Sequence, residues 1–89
     1  MATYIVAFDL NREINRPRII DAIREQFDSR AKLNESSYAI STSLDPEAVR
    51  DGLLEVIDDR DNLYVIPLAN PWSGLGPVAV TDWLLREIT

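Results

Sequence analysis

The sequence predicts an α+β domain in which four short strands alternate with two helices, and three observations carry that expectation. Apolar residues crowd into short β-favouring stretches at 3–9, 31–42 and 63–68. They recur at helical spacing over 16–29 and again over 45–57. Pro, Gly, Asn and Asp gather between these segments, where the chain must turn.

Thr3 to Asp9 sets Tyr4, Val6 and Phe8 against Ile5, Ala7 and Asp9, apolar on both sides until its last position. That pattern suits a central strand covered on both faces. Leu10 to Asn15 is mostly polar and reads as a connection, after which Pro17 sits where a first helical turn tolerates it. Ile19, Ile20, Ile23 and Phe27 then follow at helical spacing and predict a helix from Arg16 to about Ser29. Ala31 to Thr42 reads as two short strands or one bent strand, interrupted near Asn34 to Ser36.

Asp45-Pro46-Glu47 has the chemistry of a helix start. The Asp45 side chain can cap free amides, Pro46 fits the first helical position, and Glu47 complements the dipole. Val49, Leu53, Val56 and Ile57 form its apolar stripe, and Asp58-Asp59-Arg60-Asp61-Asn62 ends it as a solvated helix terminus. These aspartates lack the glycine and distal glutamate of a calcium loop. Leu63 to Leu68 is the last strand, and Pro67 places it at a sheet edge or its end near one. Asn70 to Pro77 is a loop, and Val80, Trp83, Leu84 and Ile88 suggest a short terminal helix. The order is the ferredoxin-like β-α-β-β-α-β, with an antiparallel sheet. One domain spans 1–89, its core over 3–68 and a C-terminal loop and helix over 69–89.

Composition excludes several chemistries. Without Cys there is no disulfide, thiolate nucleophile or thiolate zinc site. Without His there is no Ser-His-Asp or Cys-His constellation. Hydrolysis by this chain therefore needs a carboxylate with a divalent metal, or a base of strongly shifted pKa. No apolar stretch approaches the ~18 residues that span a bilayer, and the first residues read as a strand rather than an export signal, so a cytoplasmic protein without membrane contact is expected.

The net charge of −6 is unevenly held. Residues 1–32 carry six basic and five acidic groups, whereas 33–89 carry three basic and ten acidic. A broad nucleic-acid footprint, which needs clustered Lys and Arg, is disfavoured. Any phosphate-facing patch falls on Arg12, Arg16 and Arg18, although charged residues at this place more often simply solvate the start of a helix. The acidic C-terminal part suits a basic protein partner.

Asp9, following an apolar strand, must find solvent, a donor or a cation. It is a candidate metal ligand and catalytic carboxylate if two-fold symmetry supplies a second copy, and a loop cap or ion-pair partner of Arg12 or Arg16 otherwise. Ser36 and Ser37 can meet phosphate or a partner chain, or satisfy local backbone groups at the strand break. Trp72, in the turn-rich loop, can stack on a base or pack on a neighbouring subunit, while Trp83 at helical spacing belongs to a core or interface.

Three segments, Tyr-Ile-Val-Ala-Phe-Asp-Leu at 4–10, Leu-Asn-Glu-Ser-Ser-Tyr at 33–38 and Asp-Asn-Leu-Tyr-Val-Ile-Pro-Leu at 61–68, occur in matching order in a known family. They resemble the CRISPR-associated protein two family and its relatives, the VapD-type ribonucleases and SinR-like proteins. The stand-alone SinR-like branch is most similar, through the Trp-containing loop and terminal helix. The resemblance implies a ferredoxin-like homodimer that is either a metal-dependent nuclease or a non-catalytic adaptor. It carries the family's metal-binding aspartate to Asp9 and its middle-strand serine to Ser36, with Asn34 where glutamine is frequent. The chain departs from the family in its thinned basic run, in Ser37 where an apolar residue is common, and in its acidity.

The leading expectation is therefore a homodimeric interaction or adaptor protein related to nucleic-acid or mobile-element biology. A magnesium- or manganese-dependent endoribonuclease or DNase using Asp9 from each subunit is the alternative, with Arg12, Arg16, Arg18 and Ser36 facing nucleic acid. An acidic protein-interaction module is the third.

Overall fold

A computed structural model describes residues Met1–Thr89. The chain runs β1 (Ala2–Asp9), α1 (Arg16–Gln26), β2 (Ser29–Asn34), β3 (Ser37–Thr42), α2 (Pro46–Leu53), β4 (Asn62–Pro67) and α3 (Val78–Glu87), with 3-10 turns at Glu13–Asn15 and Leu54–Val56. The four strands form one sheet of order β2-β3-β1-β4 in which every neighbouring pair is antiparallel. Ala7 lies opposite Ser37 on one side and Tyr64 on the other.

The strand period of two decides what each face carries. Tyr4, Val6 and Phe8 of β1 point with Tyr38 and Ile40 of β3 toward α1 and α2, where Ile19, Ala22, Ile23, Phe27, Val49 and Leu53 complete the principal core. Asp45 caps α2 as its sequence implies, its carboxylate accepting from the Ala48 N–H at 2.8 Å. The first helix ends earlier than its apolar spacing suggests, at Gln26 rather than Ser29. Phe27 has turned extended, at φ −129° and ψ 108°, so that its buried ring still joins the core while the chain enters β2 at Ser29. The connection after β1 is also less irregular than its polarity suggests, since Glu13–Asn15 makes a 3-10 turn leading into α1.

The opposite face of the sheet is covered only in part, whereas the sequence of β1 suggests cover on both sides. Trp83, Val80 and Leu84 of α3 pack on Ala31 and Ala39, so the helix roofs the β2–β3 half. The Trp83 indole N–H donates to Ser29 Oγ at 3.2 Å, and that hydroxyl donates to Glu87 at 2.7 Å. Over β1 and β4 the face stays open. Tyr64 is 63% exposed and Ile66 51%. No helix is long and apolar enough to cross a membrane.

Candidate functional site

The largest concavity, about 530 Å³, lies at the end of this open face where β1, the β2–β3 turn and β4 meet. Ile5 and Ala7 give it an apolar floor, and Asp9, Asn34, Ser36, Asn62 and Tyr64 supply its polar groups. Asp9 arrives there as the last residue of β1, opposite Asn62. Its carboxylate is exposed and takes no part in the side-chain hydrogen bonds and ion pairs of the chain. The expected alternative of a salt bridge to Arg12 or Arg16 is not formed, because both arginines are engaged elsewhere.

The turn beside Asp9 is built by Asn34. Its side-chain oxygen accepts from the Ser36 N–H at 2.8 Å and from Ser37 Oγ at 2.9 Å. This local bonding accounts for Ser37, which is buried, and orients Ser36, whose carbonyl accepts from the Phe8 N–H at 2.9 Å. The Ser36 hydroxyl is left facing the concavity's rim as a free donor and acceptor.

Arg16 secures the other side of the turn. It forms a fork with Glu13 through Nε at 2.8 Å and Nη2 at 2.9 Å, and its Nη1 donates to the Glu35 carbonyl. Its guanidinium also sits over the Phe8 ring, 5.9 Å from the centroid. The hydrogen bond from Arg16 holds the Glu13 carboxyl below the ordinary glutamate value, and the same bond raises Arg16. Arg12 pairs with Asp58 at 3.6 Å, and Arg18 reaches the Glu55 carbonyl at 3.4 Å. Asp9, Ser36 and Asn34 are thus brought together, while none of the three arginines lines the concavity.

A second tie lies beneath the same end of the sheet. Asp61 accepts from the Asn11 N–H at 2.6 Å and from the Asp58 N–H at 2.7 Å, and Asp58 accepts from Asn15 Nδ2 at 2.7 Å. Asp58 and Asp61 therefore do more than solvate a helix end. They bind the β1–α1 connection to the α2–β4 connection and so hold Asp9 against Asn62. Asn62 and Tyr64 escaped sequence reasoning, although the alternation of β4 shows Tyr64 and Ile66 on one face with no charged residue between them.

The oxygen donors present suit a hard cation such as magnesium, but they are too few. No group of three or more His, Cys, Asp and Glu residues converges anywhere in the chain. One carboxylate with a hydroxyl does not make an octahedral site, and a cation at Asp9 would need further oxygen ligands, from water, a phosphate or a carboxylate of another molecule.

No protein-family model matches the chain, and no curated protein does. Among solved structures, a hypothetical protein, TT1823, from Thermus thermophilus superposes with a TM-score of 0.63 at 21% identity, over 85% of this chain and 92% of the other. The likeness is one of fold. It extends over nearly the whole of both chains, so the α+β arrangement of sheet and helices is a shared backbone plan.

Proposed function

We propose that the chain is a small interaction or adaptor protein that works as a homodimer of ferredoxin-like domains, related to the CRISPR-associated protein two and SinR-like superfamily. One observation carries this reading: the β1–β4 half of the sheet, with Ile5, Ala7, Tyr64 and Ile66, has no cover of its own. Burying exposed apolar surface of this kind contributes about 25 cal/mol per Å², which favours association. The strand order β2-β3-β1-β4 supports the ferredoxin-like reading. Sedimentation equilibrium at micromolar concentration is the test, with a dimer expected; a monomer up to the highest soluble concentration overturns the proposal.

The convergence of Asp9, Asn34 and Ser36 on one concavity favours a second reading, a divalent-metal-dependent nuclease in which Asp9 from each of two subunits holds the ion. In it Ser36 binds a phosphate oxygen. Incubating the protein with single-stranded RNA and with DNA, with and without magnesium or manganese, decides between the readings. Cleavage that is metal-dependent and abolished in Asp9→Ala supports the nuclease, and cleavage that survives Asp9→Ala rules out this role for the carboxylate.

A further inference from the structure

The polar groups around the concavity at the end of the open face fall into two sets. Asn34, Ser37 and Arg16 are spent on the β2–β3 turn, and Asp58 and Asp61 on the tie beneath the sheet. The Asp9 carboxylate, the Ser36 hydroxyl, the Asn62 amide and the Tyr64 hydroxyl line the same concavity and have no side-chain partner in the chain.

Strand register fixes how these free groups lie. Asp9 stands directly opposite Asn62, and Ala7 opposite Tyr64. All four side chains project from the open face, because Tyr4, Val6 and Phe8 take the core side of β1. Asp9 is therefore the diagonal neighbour of Tyr64, about 7–8 Å away between backbones. Ala7 has too small a side chain to fill the gap between carboxylate and ring, and with Ile5 it gives that gap an apolar floor.

The charges select what the gap can take. An anion finds no counter-charge there, since none of the arginines lines the concavity, Arg16 is neutralised by Glu13 and the chain carries −6. The occupant has to bring positive charge and hydrogen-bond donors. An ammonium meets a carboxylate as a point charge and gains little from a flat ring. A guanidinium presents parallel N–H groups to both carboxylate oxygens and stacks on an aromatic face, so one planar group spans the Asp9–Tyr64 diagonal. Its methylene stem can lie along the apolar floor.

We infer that the concavity is a docking site for an arginine side chain of a basic protein partner. The guanidinium pairs bidentately with Asp9 and stacks on Tyr64, and the Asn62 carbonyl oxygen and Ser36 Oγ accept its remaining N–H groups. The inference goes beyond the homodimer reading. Asp9 and Asn62 lie one row past the Ala7–Tyr64 pair, at the end of the uncovered half-face, so two copies meeting over Ile5 and Ile66 leave them at the rim. It is an alternative to the nuclease, because a carboxylate held by a guanidinium is not a free metal ligand.

The test is an NMR titration of the labelled chain at low salt with N-acetyl-arginine amide, N-acetyl-lysine amide and guanosine monophosphate. Arginine amide should shift the amides of Asp9, Ser36, Asn62 and Tyr64, with an affinity on the order of millimolar for one side chain. Lysine amide should bind about fivefold more weakly or worse. Asp9→Asn should weaken arginine binding by about tenfold or more, and Tyr64→Ala by about threefold, each with an unchanged far-UV spectrum. Equal binding of the lysine amide, or arginine binding that survives Asp9→Asn, reduces the effect to diffuse charge and overturns the site. Guanosine monophosphate displacing arginine from the same residues overturns the protein partner in favour of nucleic acid, and no shift with arginine overturns the inference outright. Sedimentation reads the homodimer separately: a failed arginine site leaves the dimer standing, and a monomer that binds arginine upholds the site without it.

Discussion

Asp9 ends a strand of otherwise largely apolar residues, and its carboxylate faces water without a partner. A residue so placed contributes little to stability, so Asp9→Ala should change the unfolding free energy by less than about 0.5 kcal/mol in urea titrations. Its exposure and location were not separable in the sequence, because a strand-end aspartate is compatible with a salt bridge as well as with water. Glu13 shows the opposite case, an exposed acid with a definite partner. Its folded pKa lies below the ordinary 4.5, so its contribution is present above that pH and is lost as pH falls through the lowered folded value. Its exposure to water keeps that contribution small. Carboxyl chemical shifts should place the Glu13 midpoint below that of a free glutamate, and Arg16→Gln should return it upward. The Asp45 cap was readable in advance, since Asp-Pro-Glu is chemistry local to one turn; Asp45→Ala should cost about 1 kcal/mol.

Elements show where local pattern suffices and where it does not. The stripe of Val49 and Leu53 dictates which side of α2 is buried, and the alternation in β1 dictates which side chains meet α1. The end of α1 could not be read in the same way. Phe27 continues the helical spacing, yet it reaches the core from extended backbone. The α3 helix itself was legible in the spacing of Val80, Trp83 and Leu84, whereas its return over the β2–β3 half of the sheet was not. Trp83 is the anchor of that return. Trp83→Ala should cost about 3–5 kcal/mol, a large share of the stability of so small a domain. Amide exchange across Val78–Glu87 should accelerate more than that of α1 or α2, since α3 meets the rest mainly through this side chain and its neighbours. Trp83→Phe keeps the ring and loses the bond to Ser29, so about 1 kcal/mol is expected.

At the scale of the whole molecule, the fold leaves the β1–β4 half of one sheet face uncovered, with β4 at the adjoining edge of the sheet. If two copies meet there, stability is coupled to concentration. A tenfold rise in protein concentration, followed by calorimetry above the dissociation constant, should raise the melting temperature by about 3 °C. The net charge of −6 sets long-range repulsion between copies, so added salt should strengthen rather than weaken the pairing. The sequence by itself determined the element order, the capping of α2, the buried stripe of each core helix and the exclusion of histidine and thiol chemistry, because each depends on residues close along the chain or on composition alone. Only the tertiary structure decided that Asp9, Asn34, Ser36, Asn62 and Tyr64 share one concavity, and that Arg16 is spent on the turn beside it. These facts depend on strand order and register, which bring residues more than fifty positions apart to one place and which no local spacing encodes.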